Sequence, residues 1–254
     1  MLERLQHFFL KRISPNGLSV FRIVYSFIFL LEVITIFNYR QLYYDVLPFW
    51  NPHFPDSGML FVLWMAVILS LIFGFHARIA AIINYIFTLV FISSAVKYEY
   101  HMFYVYSGIN FLLIFLPVSS SISIDAFRKK IKLLQQGICY VKPKVSKINY
   151  LIPVFVALAL VYFDSVIFYK MKSPMWLRGL GLWLPSSLPH ITIADSQWFL
   201  NQEFAVKTLS YLTLYFEFAF IFIFWNKKFR LLLTLIGVGL HIGIFIEYPI
   251  PFFG

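Results

Sequence analysis

Arg22, Glu32, Asp164, Glu217 and His241 each interrupt a long apolar run, and His101, Lys170 and Glu247 stand at the edges of such runs. A charged side chain at the centre of a bilayer costs about 2.5–3.5 kcal/mol on insertion scales, so each of these residues needs a partner or a purpose. Two uses are open to them. A lysine amine partly withdrawn from water becomes a usable base, and an adjacent histidine donates to a developing oxyanion. The plainer use is that His101 and Lys170 snorkel to water at an interface while the deeper charges hold helices together.

Depth separates the candidates. At 1.5 Å per residue, Arg22 lies roughly 8 Å inside the cytoplasmic start of its helix, and Glu217 roughly 12 Å from the cytoplasmic end of another. A structural ion pair between Arg22 and Glu217 is expected from that shared level. Glu32, Asp164, His101, Lys170 and Glu247 fall in the outer half, with His241 near the midplane. Other chemistries are disfavoured: the sequence has no HExxH, no paired metal ligands and no nucleophile elbow, and no metal is expected. Gly237, Gly239 and Gly243 follow no strand and are not a nucleotide fingerprint. The four-residue spacing of Gly239 and Gly243 instead suits close helix packing.

The elements that must position these residues are apolar helices. Of 254 residues, 61% are hydrophobic and 13% charged, which one water-soluble core could not accommodate. A bilayer about 30 Å thick accepts such a chain as successive helices of roughly 20 residues. The expected fold is all-α: one membrane domain over 1–254, a bundle of about seven spans near 17–37, 58–74, 79–96, 101–118, 148–169, 204–225 and 231–247. The second and third spans, joined by four residues, form an antiparallel hairpin. Leu2, Leu5, Phe8 and Phe9 share a face and predict an interfacial amphipathic helix ahead of the bundle. The first thirteen residues are broken by charge and do not read as a signal peptide. The proline-rich segment 38–57 and the apolar stretch within 171–203 are expected as re-entrant or interfacial caps on the outer side.

Charge sets the orientation. The segment 118–147 carries Arg128, Lys129, Lys130, Lys132, Lys142, Lys144 and Lys147. Placing it and the N-terminus in the cytoplasm satisfies the positive-inside rule, and it leaves Trp50, Trp176, Trp183 and Trp198 in outer connections at the headgroup layer. The net charge of +10 is thereby accounted for by topology and by membrane lipids, with no nucleic-acid partner expected. Cys139, the single cysteine, excludes an internal disulfide and a cysteine-rich metal site.

Several runs, taken in order, resemble the horizontally transferred transmembrane domain family, to which vitamin K-dependent gamma-glutamyl carboxylase belongs. They are LSVFRIV around Arg22, FGFHARIAA around Arg78, YEYHMFYVYSGINFLLIFLP followed by SIDAFR, LVYFDSVIFYKMKSPMWLRG, the YLTLYFEFAF run around Glu217, and GVGLHIGI around His241. The resemblance implies a membrane enzyme that uses a reduced vitamin K-type quinone such as menaquinol. Lys170 stands at the family's basic lysine, and a shift of one position nominates Tyr169. His101 stands at the oxyanion-stabilising histidine, with Tyr100 in place of the family's asparagine. Tyr100, Tyr104, Tyr169 and His241 are accordingly the expected quinone-binding residues.

The resulting expectation is an enzyme of a bacterial cytoplasmic membrane that couples quinol epoxidation to modification of a lipid or an exported peptide. A partner protein would supply a soluble domain. The alternative is a non-catalytic chaperone or maturation factor for a secreted peptide.

Overall fold

The computed structural model describes residues 2–44, 57–94, 102–154, 159–188 and 192–248. It divides into two compact units, Met1–Pro153 and Val154–Gly254. The expected segment around Pro48, Trp50 and Pro55, together with Tyr100 and His101, lies outside the described residues.

In the first unit α1 (Leu2–Leu10) leads through β1 (Arg12–Ile13) into α2 (Asn16–Asn38) and α3 (Arg40–Tyr43). Next come α4 (Ser57–Phe73), α5 (Ala77–Ser94), α6 (Met102–Phe115), α7 (Ile124–Gln135), β2 (Val145–Ser146) and α8 (Ile148–Val154). The strands pair antiparallel, Arg12 opposite Ser146 and Ile13 opposite Val145. Along α2 the buried residues are Leu18, Ser19, Arg22, Ser26, Phe29, Glu32 and Val33, a single helical face. Its other face exposes Val20, Val24, Phe27 and Ile34. Ser19, Arg22, Ser26 and Glu32 inside with apolar side chains outside are the inverse of a water-soluble helix, and α5 likewise buries Asn84 and Thr88 while exposing Ile79, Ile82, Ile86 and Leu89. Phe61, Trp64 and Ile68 of α4 point inward while Met59, Val62 and Phe73 point out.

The core of this unit is aromatic: Phe29, Tyr44, Phe61, Trp64, Phe91 and Tyr106 pack together with Val33 and Ile68. Trp64 stacks on Phe91 with ring centroids 5.2 Å apart. Hydrogen bonds stitch the helices where water cannot. Trp64 Nε1 donates to Asn84 Oδ1 at 2.8 Å. Asn110 Nδ2 donates to Thr88 Oγ1 at 2.9 Å, and Asn110 Oδ1 accepts from the Tyr25 hydroxyl at 3.0 Å.

Arg22 anchors one end of the unit. Its guanidinium, fully buried, donates to the carbonyls of Val118 at 3.0 Å and Ile122 at 2.6 Å, and more weakly to Ile72 at 3.4 Å. Those carbonyls belong to the ends of α4 and to the connection before α7. Asp125 completes the joint: its two carboxylate oxygens accept the Ala77 and His76 amides, each at 2.9 Å, at the otherwise uncapped start of α5. Gly74, in the tight turn between α4 and α5, has φ +64° and lies directly against Ser123 and the Arg22 guanidinium. A side chain there is excluded both by backbone sterics and by space.

In the second unit α9 (Leu160–Asp164) continues as a π-helical turn over Ser165–Tyr169 and a 3-10 turn over Lys170–Lys172. Short helices α10 (Pro174–Leu177), α11 (Trp183–Ser186) and α12 (Gln197–Leu200) precede the long α13 (Glu203–Ile223) and α14 (Lys227–Glu247). Ala159, Tyr162, Phe216, Phe220 and Leu233 form its core. The segment 171–203 therefore contains short helices held to α13 by bonds such as Tyr211 hydroxyl to Leu177 carbonyl at 3.0 Å and Leu182 amide to Ser210 Oγ at 3.1 Å.

Among the described residues three helices, α2, α13 and α14, are long and apolar enough to cross a membrane, which points to an integral membrane protein. That corrects the expected seven. Three more expected spans are present as the apolar helices α4, α5 and α6, of 17, 18 and 14 residues, and 14 residues cover only about 21 Å at 1.5 Å each. Of the expected span 148–169, residues 148–154 form α8, with Pro153 inside it, and 160–169 form α9 and the π turn; residues 155–158 lie outside the described residues. The glycine packing is also corrected. A Cβ added at Gly239 or Gly243 would meet nothing within 4 Å, whereas at Gly237 it would lie 3.2 Å from Phe216.

Gly74→Ala is expected to destabilise the protein by about 2–5 kcal/mol, combining left-handed strain with overpacking. Gly108→Ala, in α6 with nothing within 4 Å of the new methyl, is expected to leave stability unchanged or slightly raised. Thermal unfolding of the two variants in detergent compares them; equal melting temperatures would remove the role assigned to the Gly74 turn.

Candidate functional site

The polar side chains of the second unit converge from three segments. The π turn adds a residue to the helical circuit, a distortion that re-aims the side chains around it, and Lys170 follows it directly. Lys170 Nζ donates to Glu217 Oε2 of α13 as an ion pair, with both side chains largely buried. The Lys170 ammonium also sits 4.6 Å from the centroid of the Trp176 ring, brought over it by α10. Gly181 backs that indole so closely that a Cβ would run into it. The Ser165 side chain also reaches the Glu217 carboxylate.

One turn earlier than Val166, Tyr162 hydrogen-bonds His241 Nε2 of α14 at 2.8 Å. Its ring packs on Phe216 and Phe220, the neighbours of Glu217 along α13, with centroids 5.7 and 5.3 Å away. Glu217 acts electrostatically on the Tyr162 phenol. Four proton-carrying groups, Lys170, Glu217, Tyr162 and His241, are thus set among Trp176, Phe216 and Phe220. At the end of α14, Ser196 Oγ donates to Glu247, and Tyr248 pairs with Ser186 at 2.9 Å. Burial pushes the Tyr248 phenol above its ordinary value, against the opposing effect of the Ser186 bond.

Of the residues singled out from sequence, Lys170, Glu217 and His241 therefore share one unit and two linked hydrogen-bonded pairs. Tyr169 does not face them; it is 68% exposed, whereas the neighbouring Lys170 side chain is turned inward. Tyr104, on α6 in the first unit, is 63% exposed. Arg22 and Glu217, expected as partners, each find partners inside their own unit: Arg22 the carbonyls of Val118, Ile122 and Ile72, Glu217 the ammonium of Lys170. Among the described residues, Glu32 is buried on α2 with neither a hydrogen bond nor an ion pair.

Sequence reasoning missed Tyr162, Ser165 and Trp176. The signal that could have found Tyr162 is its position eight residues, about two helical turns, before Lys170 within LVYFDSVIFYK. Trp176 was assigned to the headgroup layer by residue type alone. The arrangement suits an aromatic molecule with acidic hydroxyls: the walls are ring faces and edges, and the polar groups can accept, hold and pass a proton. No family model, curated protein or solved structure matches the chain, so function must be argued from this geometry and from the motifs.

Removing one member of a buried ion pair strands the other, at a cost of about 3–5 kcal/mol. Lys170→Met is expected to lose that much stability, and Lys170→Met combined with Glu217→Leu to recover most of it, as read by unfolding in detergent. A double variant as unstable as the sum of the singles would show that the two residues do not depend on each other.

Proposed function

We propose that the chain is an integral membrane enzyme resembling the vitamin K-dependent carboxylase membrane domain, with its proton-handling centre at Lys170 and Glu217. The observation that carries this reading is the placement of that pair, with Tyr162 and His241 beside it, in a desolvated aromatic setting behind a π turn. The matching motifs around Arg22, Lys170, Glu217 and His241 support it.

A reduced naphthoquinone fits these residues by the chemistry of the donor set. Trp176, Phe216 and Phe220 offer aromatic surface, and Lys170 offers the group that takes a hydroxyl proton. When bound, such a quinol supplies with dioxygen an oxidation in which one quinol and one O2 give one quinone epoxide and one water.

The chain's own part is proton management. In the resting pair the proton resides on Lys170 Nζ. Its transfer to Glu217 Oε2 replaces two buried charges by a neutral amine and a neutral acid, a minor form from which the amine can act as a base. Lys170 Nζ then accepts a proton from substrate, and Glu217 returns to the carboxylate when its own proton leaves. Tyr162 and His241 form a second donor–acceptor pair beside it. On the resemblance alone, His101 stands at the histidine that stabilises the oxyanion in that family. The modified substrate is a lipid or an exported peptide, reached from the outer side when the 118–147 segment is cytoplasmic.

The second reading is a non-catalytic chaperone or maturation factor for a secreted peptide. The observation favouring it is that Lys170 and Glu217 satisfy one another, as a purely structural pair does.

Lys170→Arg separates the two, because arginine keeps the ion pair but does not give up its proton. With menaquinol and oxygen, the wild type is expected to form an epoxide detectable by mass spectrometry, and Lys170→Arg to form it about 100-fold more slowly or worse while remaining folded. Absence of any lysine-dependent product would favour the chaperone reading. Orientation is checked through Cys139, which is exposed. A membrane-impermeant maleimide is expected to label it in inverted vesicles and not in intact cells.

A further inference from the structure

We propose that α7 is a membrane-surface helix that binds the anionic headgroups of the leaflet beside it. Nothing along α7 is buried. Ile124, Phe127, Ile131 and Leu134 are all exposed, and Phe127 is 62% so. At about 100° per residue these four fall within an arc of roughly 80°. The half-buried residues Ala126 and Leu133 lie on the opposite side. The apolar stripe is therefore turned away from the protein's own packing.

Charge is distributed to match a membrane surface. By the same angular count Arg128 and Lys130 flank the stripe, one on each edge, with Lys129 and Lys132 farther round. All four are exposed. Flanking cations of this kind reach phosphate oxygens while the stripe enters the acyl boundary. The one acid on the helix, Asp125, is committed to the His76 and Ala77 amides, so the basic surface is not neutralised from within.

Position selects a bilayer over a protein partner. Asp125 ties the first turn of α7 to the turn between α4 and α5, and its amide donates to the Gly74 carbonyl at 3.0 Å. Arg128 lies over the Phe75 ring of that turn at 4.6 Å. α4 and α5 present outward apolar faces, so their turn marks the edge of the apolar layer, and α7 is held at that level. Ser123 Oγ, accepting the Ala126 amide at 3.0 Å, fixes the helix start.

The test uses the full chain in lipid nanodiscs, with a single polarity-sensitive dye on Leu134→Cys or Lys129→Cys in a Cys139→Ser background. In discs containing phosphatidylglycerol, the dye at 134 is expected to shift to the blue and to be quenched by lipids spin-labelled in the acyl chain. The dye at 129 is expected to do neither. Phosphatidylcholine alone, Arg128→Gln with Lys130→Gln, or salt near 1 M, where the screening length is about 3 Å, is expected to weaken the response at 134. Equal spectra at the two positions would overturn the insertion of the stripe, and a response indifferent to lipid charge and salt would overturn the anionic recognition. A response at neither position in any disc would point to a protein partner and overturn the proposal.

Discussion

A charged side chain inside an apolar helical unit has no water to turn to, and the rest of this structure is arranged around the two answers given to that constraint. In the first unit, Arg22 is answered by backbone carbonyls that its own cation holds in place. In the second, Lys170 is answered by a carboxylate. The insertion cost of about 2.5–3.5 kcal/mol per charge is comparable to a large part of a protein's net stability, so neither residue is tolerable without its partners.

The two answers have different consequences. Carbonyls cannot take a proton from a guanidinium, so Arg22 acts as a fixed bracket. It gathers the end of α4 and the chain leading to α7, and its fit requires the open space at Gly74. The ladder of Trp64, Asn84, Thr88, Asn110 and Tyr25 extends that rigidity across α2, α4, α5 and α6. A lysine and a glutamate, in contrast, can exchange a proton and become neutral together. Irregular backbone accompanies this pair in the form of the π turn and the 3-10 turn, a distortion retained where function benefits from it. Glu32 follows neither solution. It is buried on α2 with no hydrogen bond or ion pair among the described residues.

Much of the scaffold was legible because the cost of burying charge and the length of apolar runs act locally. The helices around residues 16–38, 57–94, 102–115 and 203–247 stand close to where the hydrophobic runs place them. Their status as full spans was less legible, since a run of apolar residues does not reveal where a π turn departs from the regular helix. The pairing of Glu217 was misjudged for the same reason. Counting 1.5 Å per residue along an unbroken fifth span put Lys170 at its outer end and Glu217 nearer the other side. A helix rewound by a π turn and a 3-10 turn, carrying a side chain as long as lysine, does not keep that count. Arg22 was expected to need an acid, because sequence shows acids plainly and free carbonyls not at all. Asp125, read only as part of the SIDAFR motif, turned out to cap α5 across the chain, a contact that spacing along the sequence cannot express.

The central claim is that Glu217 carries a charge matched by Lys170 within the apolar interior. Infrared difference spectra of the purified protein against Glu217→Gln test it most directly, because ionised and protonated carboxyl groups absorb at well-separated frequencies. The account predicts that the band lost on substitution is that of a carboxylate, and that it is also lost, or replaced by a protonated-acid band, in Lys170→Met. Assignment of a protonated carboxyl to Glu217 in the wild type would contradict it.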